Sequence, residues 1–154
     1  MARSSALAIG LALAGLVFST GLALAQAQGA SGDARQLVAL PEPMRTHTIA
    51  SMRDHLLALQ EIDEALGRGD FAAASRIAEQ RIGMSSLEAH GAAHIAPFLP
   101  APMQDTGTRM HRAASRFAVA AQEAGATGDL RPVLLAKGAM LRECVACHAA
   151  YRYH

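Results

Sequence analysis

Apolar residues recur at intervals of three and four along most of the chain from Met44 onward. The first run comprises Ile49, Met52, Leu56, Leu59, Ile62 and Leu66. This spacing places apolar side chains on one face of an α-helix, and glycine commonly follows the last residue of a helix. Because Gly67 and Gly69 come directly after the run, we predict a first helix that begins at Met44 and ends before them.

A second helix is predicted by the capping residue Asp70 and by an apolar face that continues to about Ile82. The next segment begins with Ser85-Ser-Leu-Glu88, which has the form of a capping box and predicts a short helical piece. Proline is unfavourable inside a helix, so we expect this piece to be halted by the prolines after it. These are Pro97, Pro100 and Pro102.

Two more long helices follow. The third is predicted from about Thr106 or Thr108 to Glu123, with Gly125 as its stop, and the fourth opens at Asp129. No segment shows the regular alternation of a β-strand. Four main helices with short links predict an all-α fold, specifically an antiparallel up-down four-helix bundle, which often houses a cofactor between its helices.

The N-terminal region has the pattern of an export signal. A single basic residue, Arg3, precedes a long apolar run that ends in Ala23-Leu24-Ala25, a spacing typical of a cleavage site. We predict a signal peptide over 1–25 and a periplasmic protein without stable membrane insertion once the signal is removed; an uncleaved anchor is the alternative. Residues 26–43 are predicted to form a flexible lead-in, and 44–154 the single domain.

Charge does not favour nucleic acid as a partner. The chain has 14 Lys and Arg against 13 Asp and Glu, which gives a formal net charge of +1. The basic residues form no run, whereas nucleic-acid-binding proteins concentrate them in patches.

The chemistry is concentrated near the C-terminal end. The only two cysteines, Cys144 and Cys147, are followed directly by His148. Cys-x-x-Cys-His is the attachment signature of a c-type haem, in which two thiols bind the porphyrin edge and the imidazole binds the iron. On a helix these residues and Tyr151 occupy positions i, i+3, i+4 and i+7, which form one face. The motif predicts one covalently bound haem c.

Two other kinds of site also use closely spaced cysteines. A disulfide oxidoreductase places Cys-x-x-Cys beside a βαβ unit, and no strand pattern lies near this motif. Zinc could be bound by the two cysteines together with His90 and His94, although these histidines precede the cysteines by about fifty positions. An exported non-haem protein with a zinc or a disulfide at Cys144 and Cys147 is thus an alternative.

The stretch from Cys144 to Arg152 reads CVACHAAYR, which resembles the C-x-x-C-H-x-x-Y-[RK] ending of class II cytochromes c. These are the four-helix-bundle monohaem cytochromes that include cytochrome c′ and its low-spin relatives. Gly128-Asp129-Leu130, at the opening of the last helix, is a second similarity. In class I cytochromes c, by contrast, a distal methionine follows the motif, and no methionine follows His148 here. The resemblance covers roughly 44–152.

The resemblance implies a function as well as a fold. The members of this family include carriers of single electrons between redox partner proteins, so we expect no enzyme activity. Many members form homodimers. It implies that Cys144 and Cys147 are the thioether links and His148 the proximal iron ligand. It also implies that Arg152 lies near the proximal imidazole or a propionate. Tyr151 is expected to pack against the porphyrin edge.

The distal ligand separates two functions. In this family a methionine of the first helix gives a six-coordinate electron carrier, and an apolar residue leaves a five-coordinate site that binds NO or CO. Met52 lies on the apolar stripe and has a thioether that can bind iron, so we predict it as the ligand, with His55 as an alternative. Matching Arg45 to the arginine of the family's first helix instead puts Ile49 at the usual ligand position, which would favour the gas binder.

The remaining histidines have no place in this scheme. His90 and His94 are one helical turn apart and could bind a metal on the surface, while capping or hydrogen bonding in the core is the commoner role of such residues. The same holds for His111.

Overall fold

Helices form most of the folded unit that begins at Arg35. The computed structural model describes residues 32–153, and the predicted signal peptide lies outside the described residues. The elements are β1 (Gln36–Leu37), α1 (Glu42–Gly67), α2 (Phe71–Arg81), α3 (Ala92–Ile95), α4 (Ala101–Thr127), α5 (Leu130–Ala150) and β2 (Tyr151–Arg152). The all-α prediction is confirmed. Among the described helices, none has the combined length and apolar character that a membrane span requires.

The first two helices follow the sequence signals closely. Helix α1 starts at Glu42, two residues before the predicted start, because Pro43 fits the first turn of a helix, where no N–H is needed. After α1, Gly69 has a φ of 73°, a left-handed conformation that glycine adopts with little strain. The side chain of Asp70 accepts a hydrogen bond of 2.9 Å from the backbone N–H of Ala73, so the predicted cap of α2 is confirmed.

The predicted capping box at Ser85 is wrong. The backbone N–H of Ser85 donates a hydrogen bond to the carboxylate of Glu79, near the end of α2, at 3.1 Å. Residues Met84–Ser86 form one turn of 3₁₀-helix, and the chain then continues through turns to the four-residue α3. A carboxylate from the preceding helix supplies the partner that the sequence pattern assigned to Glu88.

Helix α4 is longer than the sequence predicts at both ends. Its first residue is Ala101, and Pro102 lies in its first turn, so this proline opens a helix instead of halting one. At the other end Gly125 stays helical, and the helix continues to Thr127. The stop is Gly128, whose φ of 73° suits glycine.

The two short strands pair in parallel, with Gln36 opposite Tyr151 and Leu37 opposite Arg152. The N–H of Val38 extends this pairing with a 2.9 Å hydrogen bond to the carbonyl of Arg152. The sequence predicts no strand because two residues are too few to show alternation. The pairing connects the described part of the predicted lead-in to the segment that follows the Cys-x-x-Cys-His motif.

The main core is built largely from alanine. Its fully buried members include Ala58, Ile62, Ala74, Ala78, Ala114, Phe117, Ala121 and Val133. Small residues let helix backbones approach closely, and Phe117 and Ile62 supply the larger side chains that fill the space between them. Close packing of this kind joins α1 to α2, α2 to α4 and α4 to α5.

Ion pairs show the direction of the packed helices. Arg81, the last residue of α2, binds Asp54 and Glu61 of α1. Because α2 begins just after α1 ends, this contact means that the two helices are antiparallel. Arg109 of α4 pairs with Glu143 of α5 at 3.0 Å, and these helices are antiparallel for the same reason.

Helices α1 and α5 do not pack closely along the length that the structure describes. Lys137 of α5 pairs with Asp63 in the last turns of α1, so the two helices are tied together there. Toward the start of α1 and the end of α5 they are separated by a cavity.

The glycine positions at the end of α4 give a paired test. Gly128→Ala should lower the free energy of unfolding by about 1 kcal/mol, because alanine is strained at a φ of 73°. Gly125→Ala should raise it by about 0.5 to 1 kcal/mol, because alanine favours the helix and its Cβ would meet only Phe71 at 3.7 Å. Urea denaturation measures both values. If Gly125→Ala proves the more destabilising change, α4 ends where the sequence predicts.

Candidate functional site

A cavity of about 630 Å³ lies between α1, α4, α5 and the segment that contains α3. This volume falls within the range of roughly 300 to 1,000 Å³ that is usual for ligand sites. Leu56 of α1 and Val145 of α5 both line it and are 68% and 67% exposed, respectively. Apolar side chains of this size, left uncovered on facing helices, indicate a surface suited to an apolar ligand.

Helix α5 carries Cys144, Cys147 and His148 on its last turns, and all three line this cavity. The two cysteines are half-buried free thiols, and His148 is exposed. Burial raises the pKa of both thiols. A redox-active Cys-x-x-Cys usually lies at a helix N-terminus with a lowered thiol pKa, so both the position and the pKa differ from that chemistry.

Tyr151 does not share the helical face predicted for it. Helix α5 ends at Ala150, and Tyr151 has φ −129° and ψ 153°, which is extended backbone paired with Gln36. The ring packs with Cys147 against a second buried apolar group that contains Val38. A partner strand from the other end of the chain thus ends the helix one residue early, which no local pattern could indicate.

Arg152 lies in β2 and is half-buried. Together with His148, Cys147 and Met52 it lines a smaller cavity of about 180 Å³. The carbonyl of His148 also lies 3.4 Å from Nη1 of Arg35, a long hydrogen bond at the rim of the same cavity. The structure therefore brings the predicted arginine to the region of the predicted proximal histidine.

The distal candidates have different positions on α1. Met52 is half-buried and lines both cavities, the smaller one together with His148. His55 and Ile49 line only the larger cavity. Of the three candidates, Met52 is the one that shares both cavities with Cys147 and His148.

His90 and His94, the histidines of the zinc alternative, do not both line the cavity that contains Cys144 and Cys147. His94 is exposed and does not line the cavity, whereas His90 does. Within residues 32–153, no three His, Cys, Asp or Glu side chains are already arranged as a metal site.

Comparisons with protein-family models, curated proteins and solved structures give no match.

His90 instead belongs to a histidine cluster formed with His55 and His111. The ring centroids of His55 and His90 are 4.7 Å apart, those of His90 and His111 5.5 Å, and those of His55 and His111 6.2 Å. No local pattern in the sequence indicates this cluster, because its members come from α1, from the turns before α3 and from α4.

Two of these rings are held by hydrogen bonds. Nδ1 of His111 lies 2.6 Å from the carbonyl oxygen of Ile82, and Nδ1 of His90 lies 3.3 Å from Oγ of Ser86. Burial lowers the pKa of all three histidines. For His55 burial and the neighbouring imidazoles together lower it to about 4, so the cluster is neutral at pH 7.

The histidine cluster predicts how stability changes with pH. Between pH 4 and 6.5 the unfolded chain binds a proton at His55 that the folded protein does not, so stability is full above pH 6.5 and falls as the pH drops below it. Lowering the pH from 7 to 5 should reduce the free energy of unfolding by about 1 to 2 kcal/mol through His55. Urea denaturation of His55→Gln should show a smaller pH effect, and His94→Gln an unchanged one. An equal pH effect in wild type and His55→Gln would contradict the assignment.

Proposed function

We propose that the protein is a periplasmic c-type cytochrome related to the class II cytochromes, which carries single electrons by means of one covalently attached haem. The observation that carries this proposal is the position of Cys144, Cys147 and His148 on the wall of a large apolar cavity, opposite Met52. These residues fit the group chemically, since the thiols are free and three residues apart, and the imidazole follows directly.

The proposed architecture is an up-down four-helix bundle made by α1, α2, α4 and α5. Antiparallel contacts between successive helices support it, as do the two-residue link between α4 and α5 and the three-residue link between α1 and α2. Since α1 and α5 are held together by Asp63 and Lys137 and diverge beyond that pair, the cofactor has space between them.

When bound, the haem supplies the one-electron change of its iron, and the protein provides attachment, orientation and an environment of low polarity. Cys144 and Cys147 attach it to α5, and His148 provides the proximal nitrogen. Helix α1 contributes apolar side chains, among them Ile49 and Leu56, that exclude water from the opposite side. Arg152, on the wall shared with His148, supplies a positive charge near the proximal side.

Met52 is the proposed distal ligand. It lies on α1 and shares both cavities with Cys147 and His148, whereas Nε2 of His55 is 3.3 Å from Nε2 of His90 and is engaged there. A second candidate function is a five-coordinate binder of NO or CO. That function is favoured by Ile49, which lies on the same cavity wall and carries no ligand atom.

Removing either thiol should leave the haem incompletely attached. In Cys144→Ala or Cys147→Ala only one thioether can form, so acid–acetone extraction or the haemochrome spectrum should differ from those of the wild type. Val145→Ala, an exposed change between the two cysteines, is the matched control and should retain full attachment. If both cysteine variants have the haemochrome spectrum of the wild type and keep all their haem, the attachment residues are wrong.

The distal ligand is tested by spin state. Met52→Ala should convert the reduced protein from low to high spin and allow rapid CO binding, because the thioether that completes the coordination is lost. His55→Gln and Met110→Ala, two other changes on the cavity wall, should leave the visible spectrum low-spin. A wild-type protein that is high-spin in both oxidation states would contradict the carrier and support the gas binder.

A further inference from the structure

The histidine cluster of His55, His90 and His111 is not used by the proposed haem site. It lines the same cavity, but its members come from α1, from the turns before α3 and from α4, whereas Cys144, Cys147 and His148 lie on α5. We propose that these three imidazoles form a binding site for a divalent transition-metal ion, with zinc as the reference ion. This proposal does not depend on whether haem is attached at Cys144 and Cys147.

The separations within the cluster are close to those of ligands to one ion. Zinc binds imidazole nitrogen at roughly 2.0 to 2.1 Å, so two nitrogens on a tetrahedral ion lie about 3.3 to 3.4 Å apart and their ring centroids about 5 to 6 Å apart. Nε2 of His55 and Nε2 of His90 are 3.3 Å apart. Of the three centroid separations, 5.5 Å lies within the expected range, and 4.7 and 6.2 Å lie just outside it.

Hydrogen bonds at Nδ1 set the tautomers that a metal requires. The hydroxyl of Ser86 donates its hydrogen to the carbonyl of Gly83 at 2.7 Å, so it can only accept from Nδ1 of His90. The carbonyl of Ile82 likewise accepts from Nδ1 of His111. In both neutral rings the lone pair is therefore on Nε2. Metal-bound histidines typically have such a partner on the other ring nitrogen.

The third ring completes the set by changing tautomer. Because Nε2 of His90 carries a lone pair, the 3.3 Å contact requires that Nε2 of His55 donates its hydrogen when no metal is present. A cation between them takes the place of that hydrogen, and the proton moves to Nδ1 of His55. Rotation of the His55 ring about its Cβ–Cγ bond, which is soft for histidine, then turns the lone pair on its Nε2 toward an ion bound by Nε2 of His90 and of His111.

The surrounding charge also suits a cation. Arg81 is bound by two carboxylates, those of Asp54 and Glu61, so this group of three has a net charge of −1. Asp54 precedes His55 directly in α1. Three neutral imidazoles are typical ligands of zinc, copper and nickel, and three protein ligands leave a fourth position open to the cavity.

The test is a titration of the purified protein with ZnCl₂ at pH 7.5, in which the heat of binding is measured by isothermal calorimetry. Haem-attached protein is used as isolated, and any free thiols are first alkylated so that they cannot bind zinc. We expect about one equivalent to bind. His90→Gln and His55→Gln should each weaken the binding at least tenfold, and Ser86→Ala by about tenfold through the lost Nδ1 partner. His94→Gln, an exposed histidine four residues from His90, is the matched control and should bind like the wild type.

Circular dichroism of each variant establishes that it is folded before its titration is compared. The proposal is overturned if the wild type binds no zinc at micromolar concentration. It is equally overturned if folded His55→Gln and His90→Gln bind zinc as the wild type does, or if His94→Gln loses the binding, which would place the ion on the surface pair of His90 and His94. A failure of the proposed haem function would instead appear as the absence of a Soret band, and it would leave the zinc titration unchanged.

Discussion

The separation of α1 from α5 is the constraint on which the candidate site depends. The alanine-rich core holds α1 on α2, α2 on α4 and α4 on α5. Asp63 and Lys137 join α1 to α5, and toward the start of α1 the cavity separates the two helices. Apolar side chains such as Leu56 and Val145 consequently line a cavity instead of a helix interface. Uncovered apolar surface costs free energy in water, so an apolar occupant would stabilise the fold as well as use it.

The two ends of the described chain pair with each other beside the end of α5. Pairing of β1 with β2 places Val38 and Leu40 in a second buried group with Ile95 and Met103. Cys147 packs against the same group, so the segment before α1 supports the end of α5 where the proposed attachment residues lie. A short parallel pairing therefore helps to position the end of α5, which carries the proposed haem site.

The histidine cluster places polar side chains in a buried region. Polar rings in a low-polarity environment must remain neutral and hydrogen-bonded, and Ser86 and the carbonyl of Ile82 satisfy that requirement. The same interactions that stabilise neutral imidazoles also leave lone pairs for a cation. The stability of this region and its proposed metal affinity thus have a common origin.

The sequence by itself determined the features that depend on neighbouring residues. Helical periodicity, the Asp70 cap and the spacing of Cys144, Cys147 and His148 are local, because a helix is made by bonds between residues four apart. Only the tertiary structure decided that Gly128 and not Gly125 ends α4, that Tyr151 leaves the helix to pair with Gln36, and that three distant histidines meet. The pairing of Tyr151 with Gln36 and the meeting of the three histidines result from contacts between segments far apart in the chain, whose energies no local pattern of residues contains. Gly125 and Gly128 are two local stop signals, and the structure shows which of them the helix uses.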